Sequence, residues 1–434
     1  MVAILQSSCS RVSKLASGQL RPGDLVCVIY SSGYTFVRNV HAALSQGLVP
    51  VFLPKGFALC DLLELAAGLG AEQVWGATRT YSIVEKSLFR RESALRLSAA
   101  MHSGPAVCLS TSGSSGVPRF VLHSFESLKR NAKMHLASIG PGAETLRQHI
   151  VLPLNYSTGF VAQYLAAMLT ETEPMIYDEA LPADWVNALR ASEKDGIVHL
   201  TPMMVERLKE DGVRALSQPM VLCIGGDHVS EEAWRIIASQ RLGSALRGQK
   251  TFITYGLTEA GPRVSTRLLG SSQAYDQGNV GRAIDGVELS ILGGGPGEGE
   301  IAVQTNTANI GVFNLRGERL SGGSEVIRTG DTGTLDSRGV LRVASRSQRV
   351  QHFSGELPES LQRLLDDPLA RDAFRVVDVL GDPREGEPAL VVGSWTLNVP
   401  SAFRKNFIQR LRSLKDTANV MVVVRATAGV YLKR

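Results

Sequence analysis

The sequence predicts an α/β protein: a large N-terminal domain of parallel sheets covered by helices plus a β subdomain, and a small C-terminal α+β domain. Strand and helix patterns alternate from Gly23 onward, which is typical of parallel sheets with covering helices. From residue 278 to residue 314, short strands separated by Gly and Pro turns replace this pattern and predict the β subdomain. The chain of 434 residues is long enough for more than one domain.

Hydrophobic periodicity places the individual elements. Apolar runs predict strands at residues 25–30, 48–53, 106–109, 221–224 and 251–255, a strand that enters a loop at 150–160, and a strand and turn at 198–203. Helical patterns occur at residues 35–46 and 61–69, and each ends at a glycine. Ser124 is expected to cap a helix over residues 124–137. The tail predicts strands at 376–380 and 389–395 and an amphipathic helix at 402–414.

Composition and charge argue against several classes of function. Apolar residues make up 44% of the chain and charged residues 20%, and the net charge of +5 comes from basic residues spread along the chain. Because no basic stripe is interleaved with aromatic residues, nucleic acid is not an expected partner. No apolar run reaches the roughly 18 residues of a membrane span, and the N-terminus lacks a signal-peptide pattern. The mild positive charge could attract a phosphate-bearing substrate or an acidic carrier protein.

The cysteine pattern indicates a compartment. The five cysteines are scattered, odd in number and without C-x-x-C spacing. This pattern argues against a disulfide framework or a zinc site and suits a reducing environment. We therefore expect a cytoplasmic protein.

A loop rich in Ser, Thr and Gly follows the strand at 106–109. Residues 110–119 read S-T-S-G-S-S-G-V-P-R, in which glycines can turn backbone N–H groups toward an anion and hydroxyl groups add donors. Arg119 would complete this phosphate cradle. The loop is not a Walker P-loop, because Val117 and Pro118 follow Gly116 where that motif requires Lys and then Ser or Thr. From these residues alone, a Ser/Gly-rich surface linker is an equal alternative.

Two later segments extend the pattern. Residues 253–261 read I-T-Y-G-L-T-E-A-G, and residues 326–355 contain T-G-D followed by an arginine, Arg346. The Ser/Thr/Gly loop, Y-G-x-T-E and T-G-D with a later arginine, in this order, resemble the motifs of the adenylate-forming superfamily. This superfamily includes acyl-CoA synthetases, aryl-acid ligases, luciferases and peptide-synthetase adenylation domains. The resemblance extends from about residue 22 to the C-terminus.

The resemblance implies an ATP-dependent acid ligase that uses Mg²⁺. Such an enzyme joins a small carboxylic acid to ATP, releases pyrophosphate, and transfers the acyl group of the acyl-adenylate to the thiol of CoA or of a carrier-protein phosphopantetheine. The resemblance also implies a large adenylation domain over residues 1–346, with the β subdomain at about 278–346, and a small mobile C-terminal lid domain over 347–434. The short N-terminal region and compact lid suggest a specialised biosynthetic ligase by analogy.

Individual residues take their expected roles from the same resemblance. Nucleotide binding is expected from Thr111, Ser112, Gly113, Ser114, Ser115, Gly116, Gly225, Gly226, Asp227, Tyr255, Gly256, Asp331 and Arg346. Catalytic roles are expected for Arg119, Thr258, Glu259 and Lys433, with Glu259 as the Mg²⁺ ligand. The acid substrate is expected to contact Tyr156, Gly159 and Thr254. Tyr255 would stack on adenine, and the Asp331 carboxylate would accept both ribose hydroxyl groups.

The chain departs from the family pattern at several positions. Tyr156 stands where the family has a histidine beside the acyl pocket, and the alternative to a substrate contact is a packed ring with a solvated hydroxyl group. Gln348 and His352 replace the charged hinge residue and a lysine of the family. Val430 stands where the family has its C-terminal catalytic lysine. Lys433, three residues later, is therefore either a substitute or a solvated terminal residue.

These departures leave two alternatives open. The same adenylation could be coupled to a nitrogen acceptor and give an amide or an N–N bond. The other alternative is a non-catalytic homologue that binds nucleotide or a carrier protein as a scaffold. Val430 and Gln348 favour the scaffold, whereas the intact Y-G-L-T-E and T-G-D motifs argue against it.

Overall fold

Two large sheets and a small third sheet contain the strands of the described residues. The structure, a computed structural model, describes residues 12–13, 20–54, 59–83, 94–111, 118–170, 172–177, 196–215, 220–244, 250–270, 275–293, 298–323 and 326–346, and three C-terminal strands at 374–380, 389–395 and 420–425. The division into a large domain and a lid remains a prediction.

The strands of the described residues are arranged as follows. The first sheet contains, in spatial order, β1 (Val12–Ser13), β5 (Thr80–Ile83), β4 (Gln73–Trp75), β2 (Leu25–Val28), β3 (Val49–Phe52), β6 (Ala106–Thr111), β7 (Arg119–Ser124), β17 (Gly311–Phe313) and β18 (Arg319–Gly322). The second contains β15 (Val287–Leu292), β16 (Glu298–Thr305), β19 (Val326–Leu335), β20 (Leu341–Arg346), β14 (Asn279–Ala283), β13 (Ser265–Leu268), β12 (Lys250–Tyr255), β11 (Met220–Gly225), β10 (Gly196–Leu200), β8 (Arg147–Ile150) and β9 (Met175–Ile176). The third contains β21 (Phe374–Leu380), β22 (Ala389–Trp395) and β23 (Val420–Arg425).

Helices connect and cover these strands. The described helices are α1 (Gly33–Ser45), α2 (Leu59–Leu69), α3 (Ala94–Met101), α4 (Phe125–Ile139), α5 (Ala166–Leu169), α6 (Pro202–Ala215) and α7 (Glu231–Ser244), with a π-helix at Thr158–Leu165 and 3₁₀ helices at Ala143–Thr145 and Thr258–Ala260. Ser124 caps α4 as predicted, because its hydroxyl oxygen accepts a hydrogen bond of 3.1 Å from the Ser127 N–H group.

The prediction of parallel sheets is only partly correct, because both sheets mix parallel and antiparallel pairs. β2 pairs in parallel with β3 and β4, and β8, β10, β11 and β12 also pair in parallel. β6 and β7 instead form an antiparallel hairpin joined by the Ser/Thr/Gly loop. A parallel connection needs a crossover of a dozen or so residues, whereas a short loop returns the chain antiparallel.

The strands of the large sheets after residue 278 pair antiparallel, and the longest of them, β16 and β19, have 8 and 10 residues. β14, β15, β16, β19 and β20 continue the second sheet, and β17 pairs with β7 of the first. Strands are present where they were predicted, but β16 and β19 are not short, and these strands extend both large sheets instead of forming a separate one. The edges of β7 and β13 allow this extension, since a sheet edge offers unpaired backbone groups to a further strand.

The predicted strand and loop at residues 150–160 is partly wrong. β8 ends at Ile150, and the π-helix begins at Thr158. Its seven residues after Thr158 are buried, so their apolar run is equally compatible with a buried helix and with a strand. π-Helices are rare and occur frequently at functional sites.

A shared apolar core holds the two large sheets together. Leu25 and Cys27 face one side of the first sheet, and Val26 and Val28 face the other, so that both faces are buried. The second of these faces packs in one core with residues of the second sheet, among them Phe252. Burial on both faces explains why these strands are continuous apolar runs without polar alternation.

An aromatic cluster lies in the middle of this shared core. The Phe52 ring contacts the Phe36 ring of α1 edge-on at a centroid distance of 4.7 Å and the Phe160 ring of the π-helix at 4.8 Å. All three rings are buried. The cluster therefore connects β3 of the first sheet to α1 and to the π-helix.

The C-terminal strands β21 and β22 confirm the strands predicted at 376–380 and 389–395. The helix predicted at 402–414 lies outside the described residues. Among the helices that the structure describes, none combines the length and the apolar character needed to cross a membrane.

Three cysteines lie inside the sheets as free thiols. Cys27 and Cys108 belong to β2 and β6 of the first sheet, and Cys223 belongs to β11 of the second. Burial raises the pKa of each thiol, to about 12 for Cys223.

Phe52→Ala is expected to lower the free energy of unfolding by about 3–5 kcal/mol, because it removes a buried ring and leaves a cavity. Chemical denaturation measures this difference. Met101→Ala is the control, since Met101 is 85% exposed and its truncation should change the free energy by less than about 0.5 kcal/mol. Equal effects of the two substitutions would contradict the central position of Phe52.

Candidate active site

The β6–β7 hairpin places the two ends of the Ser/Thr/Gly loop opposite each other. Thr111 and Arg119 are register partners at the end of the hairpin where the loop connects the two strands. Arg119 is exposed and makes no ion pair within the described part of the chain, so its guanidinium is available to a phosphate group. The predicted phosphate-binding residues between them lie outside the described residues: Ser112, Gly113, Ser114, Ser115 and Gly116.

β12 carries the Y-G-L-T-E motif to the same region. Tyr255 is the last residue of the strand, and the 3₁₀ helix begins at Thr258. Gly256 lies directly against Pro262, because a Cβ atom at Gly256 would overlap the Pro262 carbonyl oxygen. A side chain at this position would force the two segments apart. The glycine therefore lets the loop after β12 fold back on itself.

Thr258 connects three parts of the site. The His123 Nε2 atom of β7 lies 2.8 Å from the Thr258 carbonyl oxygen. Because that oxygen can only accept, His123 carries its proton on Nε2. The Ser157 hydroxyl, just before the π-helix, lies 2.9 Å from the Thr258 hydroxyl. The phosphate hairpin, the Y-G-L-T-E motif and the π-helix segment thus meet at one residue.

The backbone of Glu259 is fixed while its carboxylate is available. Asn309 donates both its backbone N–H and its side-chain Nδ2–H to the Glu259 carbonyl oxygen, each at 3.1 Å. The Glu259 side chain is half-buried and has no hydrogen-bond or ion-pair partner among the described residues. Mg²⁺ prefers carboxylate and phosphate oxygens, so this carboxylate fits the predicted metal ligand.

Tyr255 and Asp331 are joined by a direct hydrogen bond. The Tyr255 hydroxyl group donates to Asp331 Oδ2 at 2.7 Å, and Asp331 is only 7% exposed. The Asp331 N–H group donates to the Thr329 hydroxyl oxygen at 3.0 Å, which fixes the T-G-D turn. Arg346 of β20 is the register partner of Asp331, and its side chain lies outside the described residues. The structure therefore brings the second and third motifs together.

Local structure explains the two glycines at the end of β11, Gly225 and Gly226. A Cβ atom at Gly225 would overlap the carbonyl and hydroxyl oxygens of Thr254. Gly226 has a φ of +86°, in the left-handed region that favours glycine. Asp227 is exposed, and its carboxylate accepts a hydrogen bond of 2.8 Å from the His228 N–H group. The approach of Thr254 accounts for Gly225 and the turn accounts for Gly226, and contact with adenine stays a prediction.

The predicted substrate residues lie in two places. Tyr156 is half-buried and precedes the π-helix, and Gly159 is buried within that helix. A Cβ atom at Gly159 would lie 2.5 Å from the Pro153 carbonyl oxygen, which requires a glycine. Thr254 is buried on β12, and its hydroxyl group accepts a hydrogen bond of 2.8 Å from Arg263. Lys433 lies outside the described residues.

A buried polar cluster, consisting of Arg263, His199, His135 and Thr254, lies between α4 and the second sheet. The Arg263 Nη2 atom is 2.9 Å from His199 Nδ1, and His199 Nε2 is 3.2 Å from His135 Nε2. Arginine can only donate, so Nδ1 of His199 accepts and its Nε2 carries the proton. His199 therefore donates to His135.

Burial and the arginine charge set the protonation of this cluster. Burial lowers the pKa of His135 and of His199 well below 6.5, and the nearby Arg263 charge lowers both further. Burial also lowers the pKa of Arg263, to about 10. The ligand atoms of His135, His199 and Cys223 lie within 4.8 Å of one another. However, the Arg263 charge and the proton on His199 Nε2 both oppose a cation there.

Sequence reasoning missed the residues that hold these motifs together: His123, Ser157, Asn309 and Arg263. Three of the contacts join residues separated by 135, 101 and 50 positions along the chain. No local pattern in the sequence indicates such contacts.

A family model described as AMP-binding enzyme matches residues 85–311, which is more than half of the chain. The matched segment contains the phosphate hairpin and the Y-G-L-T-E motif, which meet at Thr258. The chain therefore belongs to the AMP-binding enzyme family, and the predicted membership of the adenylate-forming superfamily is confirmed.

Solved structures share the fold at low sequence identity. The o-succinylbenzoate CoA synthetase MenE of Bacillus subtilis, in complex with ATP and a magnesium ion, is 18% identical with a TM-score of 0.59, and the match covers 93% of this chain and 86% of that one. The anthranilate CoA ligase AuaEII, in complex with anthranoyl-AMP, is 13% identical with a TM-score of 0.60, and the match covers 93% and 84%. A relative by sequence is the hybrid PKS-NRPS synthetase gkaA of Penicillium citrinum, 26% identical over 336 residues. That match covers 72% of this chain and only 8% of the synthetase.

The buried histidines are expected to make stability depend on pH. Because the pKa values of His135 and His199 are lowered from 6.5 in the folded protein, the unfolded chain binds more protons under acidic conditions. The contribution of these residues to stability should be complete above pH 6.5 and should be lost progressively as the pH falls below that value. Denaturant titrations on both sides of this pH measure the effect.

Two variants separate this contribution from general acid denaturation. His135→Gln removes one buried titrating group and should reduce the pH dependence of the free energy of unfolding. His228→Gln changes an exposed histidine and should leave that dependence unaltered. An identical slope in the wild type and in His135→Gln would contradict the prediction.

Proposed function

We propose that the protein activates a small carboxylic acid with ATP as an acyl-adenylate, releases pyrophosphate, and transfers the acyl group to a thiol. Two observations carry this proposal: the phosphate hairpin, the Y-G-L-T-E motif and the π-helix segment meet at Thr258, and Tyr255 joins the Y-G-L-T-E motif to Asp331 of T-G-D. Family membership supports adenylation as the general chemistry. The substrate, the acceptor and the residue roles belong to the proposal.

The Tyr255–Asp331 pair would hold the nucleoside. A carboxylate has several acceptor positions, so Asp331 can accept from Tyr255 and from ribose hydroxyl groups together. The hydrogen bond from Tyr255 fixes the direction of the carboxylate before ATP binds. Since Asp331 is buried, its hydrogen bonds to a ribose would be stronger than in water.

The hairpin would hold the phosphates. The carboxylate oxygen of the acid would bond to the α-phosphorus as the bond from that phosphorus to the pyrophosphate oxygen breaks. Negative charge then accumulates on pyrophosphate, and Arg119 with the donors of the hairpin would stabilise it. The Arg119 guanidinium keeps its charge and offers a planar fork of donors to a phosphate group.

Thr258 and Glu259 would complete the phosphate site. Glu259 would hold Mg²⁺, which when bound offsets phosphate charge and acts as a Lewis acid. Asn309 holds the Glu259 backbone through its carbonyl oxygen, so the point from which this side chain extends is fixed by the protein. The Ser157 and Thr258 hydroxyl groups are hydrogen-bonded to each other, and either of them can be the donor. In both arrangements a hydroxyl oxygen would remain able to contact a phosphate or the acid.

The second half-reaction would use a thiol nucleophile. The sulfur atom of CoA or of a carrier-protein phosphopantetheine would bond to the acyl carbon, and AMP would leave. Two proteins with a similar fold are CoA ligases by name, which supports a thiol in preference to an amine. Residues 347–434, including Lys433, would form a lid that moves between the two half-reactions.

Pyrophosphate release across a panel of carboxylic acids tests the proposal. Acids that support release are then incubated with CoA, with a phosphopantetheinylated carrier protein and with amines, and the products are identified by mass spectrometry. A thioester supports the proposal, and an amide supports the nitrogen-acceptor alternative. Nucleotide binding without release for any acid would favour the scaffold.

Glu259→Ala and Asp331→Ala are each expected to weaken binding of ATP with Mg²⁺. Loss of a hydrogen bond to a charged group costs about 1.5–3 kcal/mol, or about 10- to 150-fold in Kd. Isothermal titration calorimetry measures the change. Glu288→Ala is the control, because Glu288 is an exposed carboxylate on β15 outside the site. Unchanged affinity in both site variants would exclude the assigned roles.

Arg119→Ala is expected to slow acyl-adenylate formation more than it weakens ATP binding. The charge that Arg119 would stabilise develops only as pyrophosphate leaves, so its loss should affect the transition state most. Single-turnover rates and ATP affinity are measured on the same variant, with Arg38→Ala of α1 as an exposed control. Equal losses in rate and affinity would show that Arg119 only binds the ground state.

A further inference from the structure

Arg263 is a buried cation that has no anionic partner among the described residues. It is 2% exposed, and its hydrogen-bond acceptors, the Thr254 hydroxyl oxygen and His199 Nδ1, are both neutral. Its Nε atom is buried and has no hydrogen-bond partner. Burying an ion is strongly unfavourable unless an opposite charge compensates it. The protein therefore maintains a costly charge that its described residues do not neutralise.

Arg267, four positions further along the chain, shows the usual arrangement. Its side chain is 10% exposed, and its Nη2 atom lies 3.6 Å from Asp276 Oδ2. Its guanidinium also lies over the Trp234 ring, 5.5 Å from the centroid. The two arginines differ in their counter-charge: among the described residues a carboxylate pairs with Arg267, whereas none pairs with Arg263.

The backbone at Arg263 is held without help from the guanidinium. The Asn131 side chain accepts from the Arg263 N–H group at 2.9 Å and donates to the Arg263 carbonyl oxygen at 3.0 Å. Asn131 also contacts Thr307, whose hydroxyl group donates to the Ala260 carbonyl oxygen at 2.8 Å. Because these contacts fix the loop, the arginine side chain is not needed to hold the loop in place.

Arg263 is connected to the proposed acid site through Thr254. The loop from Gly256 to Pro262 folds back, and the Val264 N–H group donates to the Tyr255 carbonyl oxygen at 3.0 Å. The guanidinium thereby returns to Thr254, the residue before Tyr255, and stands on the same loop as Glu259. Charge recognition at Arg263 and adenylation would thus share one rigid segment.

We propose that Arg263 determines substrate specificity by binding a second carboxylate, so that the preferred substrates are dicarboxylic acids. The inference rests on the proposed adenylation. One carboxylate would be activated, and the other would accept hydrogen bonds from the Nε and an Nη atom of Arg263. These two donors form the planar fork that matches a carboxylate. His135 Nδ1 is also buried and without a partner, which gives the cluster a second polar atom for a ligand.

The test compares dicarboxylic acids with their monomethyl esters, using glutaric and terephthalic acid as an aliphatic and an aromatic pair. Each ester keeps the carbon skeleton and one ionised group of its acid and carries a methyl group in place of the second charge. The readouts are kcat/KM for pyrophosphate release and the shift in melting temperature without ATP. Wild-type protein is expected to prefer the diacid of at least one pair by about tenfold or more, as one charge-assisted hydrogen bond allows.

Three variants locate the preference. Arg263→Met removes the charge at similar length, and Arg263→Gln removes it while keeping donors for Thr254 and His199. Both should lose the preference for the diacid while retaining release with the ester. Arg267→Met is the matched control, since it removes an arginine that already has a carboxylate, and it should keep the preference. A preference retained in either Arg263 variant overturns the inference.

The outcomes separate this inference from the proposed function. If monocarboxylic acids support pyrophosphate release and the wild type does not prefer either diacid, adenylation stands and the role of Arg263 is wrong. If no acid supports release but a diacid raises the melting temperature of the wild type and not of Arg263→Gln, the anion site stands and adenylation is wrong. If no acid supports release and no diacid raises the melting temperature, the inference and the proposed function are both overturned. If the Arg263 variants do not fold, the comparison of diacid with ester in the wild-type protein decides alone.

Discussion

Hydrogen bonds to the backbone of the loop after β12 are the constraint on which the candidate site depends. His123 holds the Thr258 carbonyl oxygen, Asn309 holds that of Glu259, and Asn131 brackets Arg263 on both sides. His123 belongs to β7, Asn131 to α4 and Asn309 to the segment between β16 and β17, so three separate parts of the chain position the loop. Since these contacts use backbone atoms, they do not occupy the side chains of Thr258, Glu259 and Arg263. A rigid support of this kind holds reacting groups in place before a ligand binds.

The sequence predicts those parts of the structure that local patterns determine. The cap at Ser124 and the strands β2, β3, β11 and β12 follow from side-chain chemistry and apolar runs within a few residues. The pairing of strands cannot be predicted in this way. β7 is absent from the predicted elements, and its partner β17 lies almost 200 positions further along the chain. The contact between His123 and Thr258 spans 135 positions, and a single sequence has no signal for it. The motifs could thus be predicted, but the residues that bring them together could not.

Burial has opposite effects on the protein and on its proposed ligand. A desolvated guanidinium beside two neutral histidines destabilises the fold, because little in its surroundings replaces the lost hydration. The same surroundings strengthen its attraction for an anion, since the interaction between charges grows as the effective dielectric constant falls. Stability is thus reduced at the position where affinity would be increased. Functional sites often carry such unfavourable groups, and the rest of the fold compensates for them.

The buried cysteines have a practical consequence for studies of unfolding. A thiol reacts as the thiolate, and burial keeps Cys27, Cys108 and Cys223 protonated and out of contact with reagents at neutral pH. Alkylation at these sites therefore requires the surrounding strands to open. Two of the thiols report on the first sheet and one on the second, so the alkylation rate of each peptide, read by mass spectrometry, would show whether the two sheets open together or separately. The natural chain thus contains its own probes of cooperativity.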